Sequence, residues 1–189
     1  ICRELMKRYL SLFVAVICSS LAYAQQPVAT HSEPVKQWTS SFNALDVDAS
    51  IKLTLTPVGK DEAPYIIYDT KGVYTSKFSA EVDSKTKTLK ISERKDPKRT
   101  SVTEVKVFFT SLSDISISKA NTSVEGTLQS QLLDIAISDD ATFKADVDVL
   151  DLMVFASGKS RIVITGSTHY QTVDIATAEY DAKDLSTIS

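Results

Sequence analysis

The chain has 189 residues, 43% of them hydrophobic and 24% charged, which fits a globular protein and excludes a disordered or collagen-like polymer. Its 21 Lys and Arg against 24 Asp and Glu give a net charge of −3, so no basic excess points to nucleic acid as a partner. With two His and two Cys in all, most metal and nucleophile chemistry is excluded before any motif is sought.

Residues 1–24 read as upstream residues followed by a secretory signal peptide. Ile1 to Leu5 precede Met6; Lys7 and Arg8 then lead an apolar run from Tyr9 to Cys18, and Ala22-Tyr23-Ala24 supplies the small-residue cleavage pattern. That run is too short to be a permanent membrane span, and no later apolar stretch is long enough to be one. A lipoprotein reading would place lipid on Cys18, but Ile17 before it is bulky where such signals take a small residue. Cleavage after Ala24 removes both Cys2 and Cys18, so the exported chain is expected to fold without disulfides in the periplasm, at the cell surface or outside the cell.

Residues 25–37 read as a polar, flexible connector with Pro27 and Pro34. Residues 38–110 read as a β-rich section. Ile51-Lys52-Leu53-Thr54-Leu55 alternates apolar and polar with period two, and apolar stretches around Tyr65–Tyr68, Phe78–Val82, Leu89–Ile91 and Val102–Phe109 follow between turns. No window sustains a helical period, so the fold class is all-β.

From residue 111 to 189 a repeat sets in. Asp114, Asp134, Asp151 and Asp174 each open a short apolar segment, at intervals of 20, 17 and 23 residues, and Val124, Phe143 and Ile162 recur every 19. Units of this length joined by small polar corners predict right-handed parallel β-helix or solenoid-like coils stacked about 4.8 Å apart. Ile115, Ile135, Leu152 and Ile175 are expected to form an inward apolar ladder, with the four aspartates in an outward one. An antiparallel meander is the competing expectation. Asp184-Leu185-Ser186-Thr187-Ile188-Ser189 shows no capping unit, which reads as truncation.

These features resemble the secreted bacterial GIN-domain family, described as auto-transporter adhesin head domains (DUF2807). The resemblance is carried by the signal peptide, Phe42-x-x-Leu45-x-Val47 before Ile51-x-Leu53-x-Leu55, Leu89-Lys90-Ile91, Val105-x-Val107, and the Leu-Asp-Ile-x-Ile type segments with their Ser-x-x-Ala or Ala-Ser-Gly corners. The family has more Gly at its corners than this chain, where Gly158 serves. The resemblance implies an envelope-associated β-helical protein for which adhesion is inferred from architecture, and it supplies no catalytic residues.

The residues themselves carry little chemistry. Dinucleotide, Walker and H-E-x-x-H signatures are missing, and His31 and His169 lie far apart. Asp114, Asp134, Asp151 and Asp174 are the candidate binding residues. Stacked carboxylates repel by about 1 kcal/mol in water, which flanking lysines or bridging Ca²⁺ would offset. A solvated acidic face needs neither, and no cofactor or metal is assigned. Arg94, Lys95, Lys98 and Arg99 read as a solvated loop, while Trp38, Tyr65, Tyr68 and Tyr74 are either sugar-stacking surfaces or covers for the core end. The resulting expectation is a non-enzymatic, envelope-associated or secreted module recognising glycan or another envelope protein. Two alternatives stand beside it: a polysaccharide-cleaving β-helix enzyme with Lys159 or Arg161 near the acids, and a structural protein that assembles through open coil edges.

Overall fold

The computed structural model describes residues 33–71, 77–94 and 97–188, so the signal peptide, His31, Tyr74 and Lys95 lie outside the described residues. Thirteen strands form one mixed sheet, and there is no helix among the described residues. The first eight are β1 (Val35–Trp38), β2 (Ala44–Asp48), β3 (Lys52–Pro57), β4 (Tyr65–Asp69), β5 (Lys77–Asp83), β6 (Thr88–Arg94), β7 (Glu104–Phe109) and β8 (Asp114–Ser118). Three long strands follow, β9 (Asn121–Ser138), β10 (Thr142–Ser157) and β11 (Arg161–Ala176), then the short β12 (Glu179–Asp181) and β13 (Leu185–Thr187). β1 takes in the last residues of the expected connector, because Val35–Trp38 pairs antiparallel with Tyr65–Tyr68.

Alternation decides which side of each strand is buried. In β2, Leu45 and Val47 are buried while Asp46 and Asp48 are exposed, and β3 repeats the pattern with Leu53 and Leu55. Parallel pairing then stacks like on like. Leu45 lies between Leu89 of β6 and Ile115 of β8, Ile115 opposite Ile135 of β9, and Ile135 opposite Val154 of β10. The resulting core runs without interruption from the N-terminal to the C-terminal section.

Two features differ from a sequential solenoid. β1 with β4, β4 with β7, and β5 with β6 pair antiparallel, whereas β6 with β2, β7 with β3, and all pairs from β8 onward are parallel. The order is also not that of the chain. β2 and β3 lie between β6 and β7 on one side and β8 and β9 on the other, so these two early strands are interior and later strands are added on both sides of them, while β1 sits at an edge beside β4. β2 with β8 and β3 with β9 join the residues before and after position 110 in one sheet.

The expected inward ladder is out of step in its third and fourth members. Ile135 meets Val154, which meets Val173; Leu152 meets Leu133 and Gln171 instead. Ile115, Ile135 and Leu152 are buried, but Ile175 is 38% exposed, because Tyr170–Ala176 is paired on one side only, by β10. The shift arises from the 17-residue spacing between Asp134 and Asp151 against partner offsets of 19 between β9 and β10 in this segment.

Corners repeat as the sequence suggests, by a device that needs no glycine. Lys119, Asp139, Gly158 and Thr177 end successive strands, and all four have positive φ. Glycine is indispensable elsewhere. At Gly166 (φ 106°) a Cβ atom would stand 2.0 Å from the Val147 carbonyl oxygen, whereas at Gly158 its nearest neighbour would be 3.0 Å away.

A buried ion pair secures the β6–β7 connection. Arg99 donates from Nη1 to Glu93 Oε1 at 2.8 Å, from Nη2 to Thr103 Oγ1 at 2.9 Å and from Nε to Ser101 Oγ at 3.0 Å, and both charged side chains are almost inaccessible. Thus Arg99 leaves the expected solvated basic loop, while Arg94 stays exposed.

Removing one partner of a buried pair strands the other charge, so Arg99→Ala is expected to destabilise the fold by about 3–5 kcal/mol in urea unfolding, against about 0.5 kcal/mol or less for Arg94→Ala. Gly166→Ala is expected to cost about 2–3 kcal/mol and clearly more than Gly158→Ala in the same measurement; equal losses would contradict the close backbone approach.

Candidate functional site

The outward positions of β8, β9, β10 and β11 form straight rows, because parallel register repeats each position on the next strand. Asp114 and Asp134 stand directly opposite each other. The row continues through Met153 and Thr172, so the expected four-carboxylate ladder is a pair in register with two displaced members. Asp151 faces Leu132 and Tyr170, two positions before Asp134, and Asp174 faces Phe155, two positions after it. All four share one face. Their order along it is staggered.

Asp134 is the unusual member. Its Oδ1 is buried and has no hydrogen-bond partner. Burial first, then the Asp114 and Asp151 carboxylates, raise its pKa above the ordinary carboxylate value. No ion pair relieves any of the four among the described residues. Two aspartates that the repeat did not single out behave in the opposite way. Asp146 accepts from the hydroxyls of Thr127 (2.6 Å) and Thr165 (3.0 Å), one on each neighbouring strand. Asp148 is held likewise by Gln129 (3.5 Å) and Ser167 (3.0 Å). Those carboxylates brace the sheet; Asp134 braces nothing.

Beside the acidic residues lies a shallow depression of about 240 Å³, floored by the small side chains of Ser116 and Ala136 and bordered by Phe155, Ser138, Ser157 and Asp174. Phe155 is 40% exposed and Tyr170 67% exposed, and Leu132 adds a third exposed apolar side chain on the same face. The face therefore combines acceptors, hydroxyls and apolar rings in fixed rows. Hydrogen-bonding and stacking with an extended ligand are within its chemistry.

Other candidates fall elsewhere. Arg161 is bound to Glu179 of β12 at 3.5 Å, Lys159 is exposed just past the corner at Gly158, and His169 is exposed. Among the described residues no group of three or more His, Cys, Asp or Glu is placed to hold a metal ion. The aromatic residues divide: Tyr68 packs with Phe78 against the core (ring centroids 4.5 Å apart), whereas Trp38 and Tyr65 lie on the outside of the sheet.

Fold and surface together define an all-β module with a ladder-built outer face. Residues 41–188 match the family described as "Putative auto-transporter adhesin, head GIN domain" (DUF2807), and the chain belongs to that family. Among solved structures it is similar to a putative adhesin from Parabacteroides distasonis (TM-score 0.57, 16% identity, covering 83% of this chain and 76% of that one). It is also similar to a putative adhesin from Parabacteroides merdae (TM-score 0.50, 12% identity, covering 83% and 96%). At these identities the likeness establishes the fold. No curated protein sequence matches the chain.

A carboxyl whose folded-state pKa is raised costs stability as pH rises from its unfolded pKa through its folded one, and the cost persists above. Asp134→Asn removes it. Unfolding in urea is expected to show the variant gaining on the wild type at pH 7 relative to pH 3, and the same difference at both pH values would contradict the placement of Asp134.

Proposed function

We propose that this chain is a non-enzymatic, envelope-associated binding module. It recognises a glycan or another envelope protein along the outer face of β8–β11, with Asp114, Asp134, Asp151 and Asp174 as polar contacts. In this reading the signal peptide exports it, and the parallel strands act as successive coils of a right-handed β-helix that present similar contacts at each step. The observation that carries the proposal is the unpartnered Asp134 oxygen, opposite Asp114 and within the field of the displaced Asp151, on a face that also exposes Phe155 and Tyr170. An unsatisfied carboxylate lowers stability and braces nothing in the sheet, and the exposed Asp114 and Asp174 on the same face offer acceptors that suit sugar hydroxyls or protein N–H groups. Membership of the adhesin-head family supports the same reading.

The test is retention of bacterial and host polysaccharides and of envelope proteins on the immobilised chain, with polymer length read at the same time. Retention without shortening is expected. Asp114→Asn with Asp134→Asn should weaken it roughly tenfold or more, the loss of a charged hydrogen bond worth about 1.5–3 kcal/mol. Shortened chains would replace the binding module with an enzyme, and no retention of any polymer or protein would contradict the proposal.

A further inference from the structure

A second outer surface, formed by β1, β4 and β7, differs in chemistry from the acidic face. Trp38, Tyr65 and Phe108 stand in register across the three strands, and Lys36, Ile67 and Lys106 form the next row. Tyr65 stacks on Phe108 with centroids 4.2 Å apart and an interplanar angle of 14°, and Trp38 leans on Tyr65 at 5.1 Å. Lys36 Nζ lies 4.2 Å from the Trp38 ring centre and 3.9 Å from that of Tyr65, holding both rings by cation–π attraction. Trp38 is nevertheless 61% exposed.

Charge separates this block from its surroundings. Lys36 and Lys106 form no ion pair among the described residues. The acidic side chains of the following row, Asp69 and Glu104, are engaged: Glu104 holds Lys71 Nζ at 2.7 Å, and Asp69 Oδ1 accepts from the Lys71 backbone N–H at 2.9 Å. In a chain of net charge −3, two ammonium groups without an ion pair among the described residues therefore stand beside a pre-ordered aromatic row whose Trp38 end is exposed. A lysine on the edge strand alone would be explained by protection of the sheet edge, but Lys106 lies two strands inward and Trp38 is apolar.

We propose that this block binds an acidic polysaccharide, with sugar carboxylates on Lys36 and Lys106 and the apolar face of a pyranose against Trp38. β4 lies between β1 and β7, so the Cα atoms of the two lysines stand two inter-strand steps apart, about 10 Å, with flexible side chains to adjust the spacing of the charges. That distance is close to the repeat of a polymer carrying one uronic acid per disaccharide. The rings are already held by one another and by Lys36, so little side-chain freedom is lost on binding. An anionic membrane fits less well, because among the three rings only Trp38 is exposed, which leaves little apolar surface to enter a headgroup layer.

This site rests on the reading of the chain as an envelope binding module but occupies a different face, and one experiment separates the two. The full chain, Trp38→Ala, Lys36→Gln with Lys106→Gln, Arg94→Gln, and Asp114→Asn with Asp134→Asn are each titrated with an alternating uronic acid polymer, its carboxyl-reduced form, and vesicles containing phosphatidylglycerol. Thermal midpoints confirm that each variant is folded. The expected result is binding of the uronic acid polymer, weakened by added salt, at least about tenfold weaker in the Trp38 and lysine variants, lost on carboxyl reduction, and unchanged in Arg94→Gln, which removes an exposed cation outside the block. Binding that survives in the Trp38 and lysine variants would overturn this site, and if the aspartate variant alone fails, the acidic face is the glycan site. Equal binding of the carboxyl-reduced polymer would remove the role of the lysines. Binding of vesicles but of neither polymer would make the block a lipid-surface site and overturn the proposal. No binding of any of the three would overturn it while leaving a protein partner for the acidic face.

Discussion

Parallel register is the constraint on which the rest of this structure depends. When strands pair in parallel without slippage, a position on one strand meets its equivalent on the next about 4.8 Å away. Inward, the outcome is favourable: Leu89, Leu45, Ile115, Ile135 and Val154 form one continuous apolar row that no helix needs to cover. Outward, the same rule sets Asp114 beside Asp134, and among the described residues the pair gains no cation to relieve it. Core and candidate site are thus two faces of one geometric rule.

The outward carboxylates show how context separates bracing from availability. Asp146 and Asp148 sit between hydroxyl or amide donors on both neighbouring strands, so their charge is absorbed by the sheet. Asp134 faces another carboxylate on one side and Met153 on the other. No donor reaches its buried oxygen. Buried polar atoms in folded proteins are usually satisfied, and an exception on an outer face points toward a ligand.

Much of the fold was legible in the residues. Period-two alternation located the strands, and the small polar corners marked turns that the structure makes with positive φ at Lys119, Asp139 and Gly158, whereas the matching turn at Thr177 carries no such cluster. The antiparallel additions were not legible, because pattern says nothing of strand direction. Nor was the interior position of β2 and β3, since the inserted strands place Asp46 and Ser116 side by side from 70 residues apart. Within the site, counting from one Asp to the next slipped by two residues at Asp151 and by four in the opposite sense at Asp174, which preserved the face but broke the row. The buried Arg99–Glu93 pair left one signal: Glu93 follows Leu89 and Ile91 on the inward side of β6. The aromatic row depended on pairing among three distant segments, which composition does not disclose.

The most direct test of this account is a carboxyl carbon NMR titration of Asp134 in the wild type and in Asp114→Asn. Direct register predicts that Asp134 titrates above the ordinary aspartate range, and that removing the Asp114 charge moves it back toward that range while burial keeps it raised. An Asp134 that titrates like an exposed aspartate and ignores the substitution would show that the two carboxylates are not neighbours, and the stacking on which the fold and site both rest would be wrong.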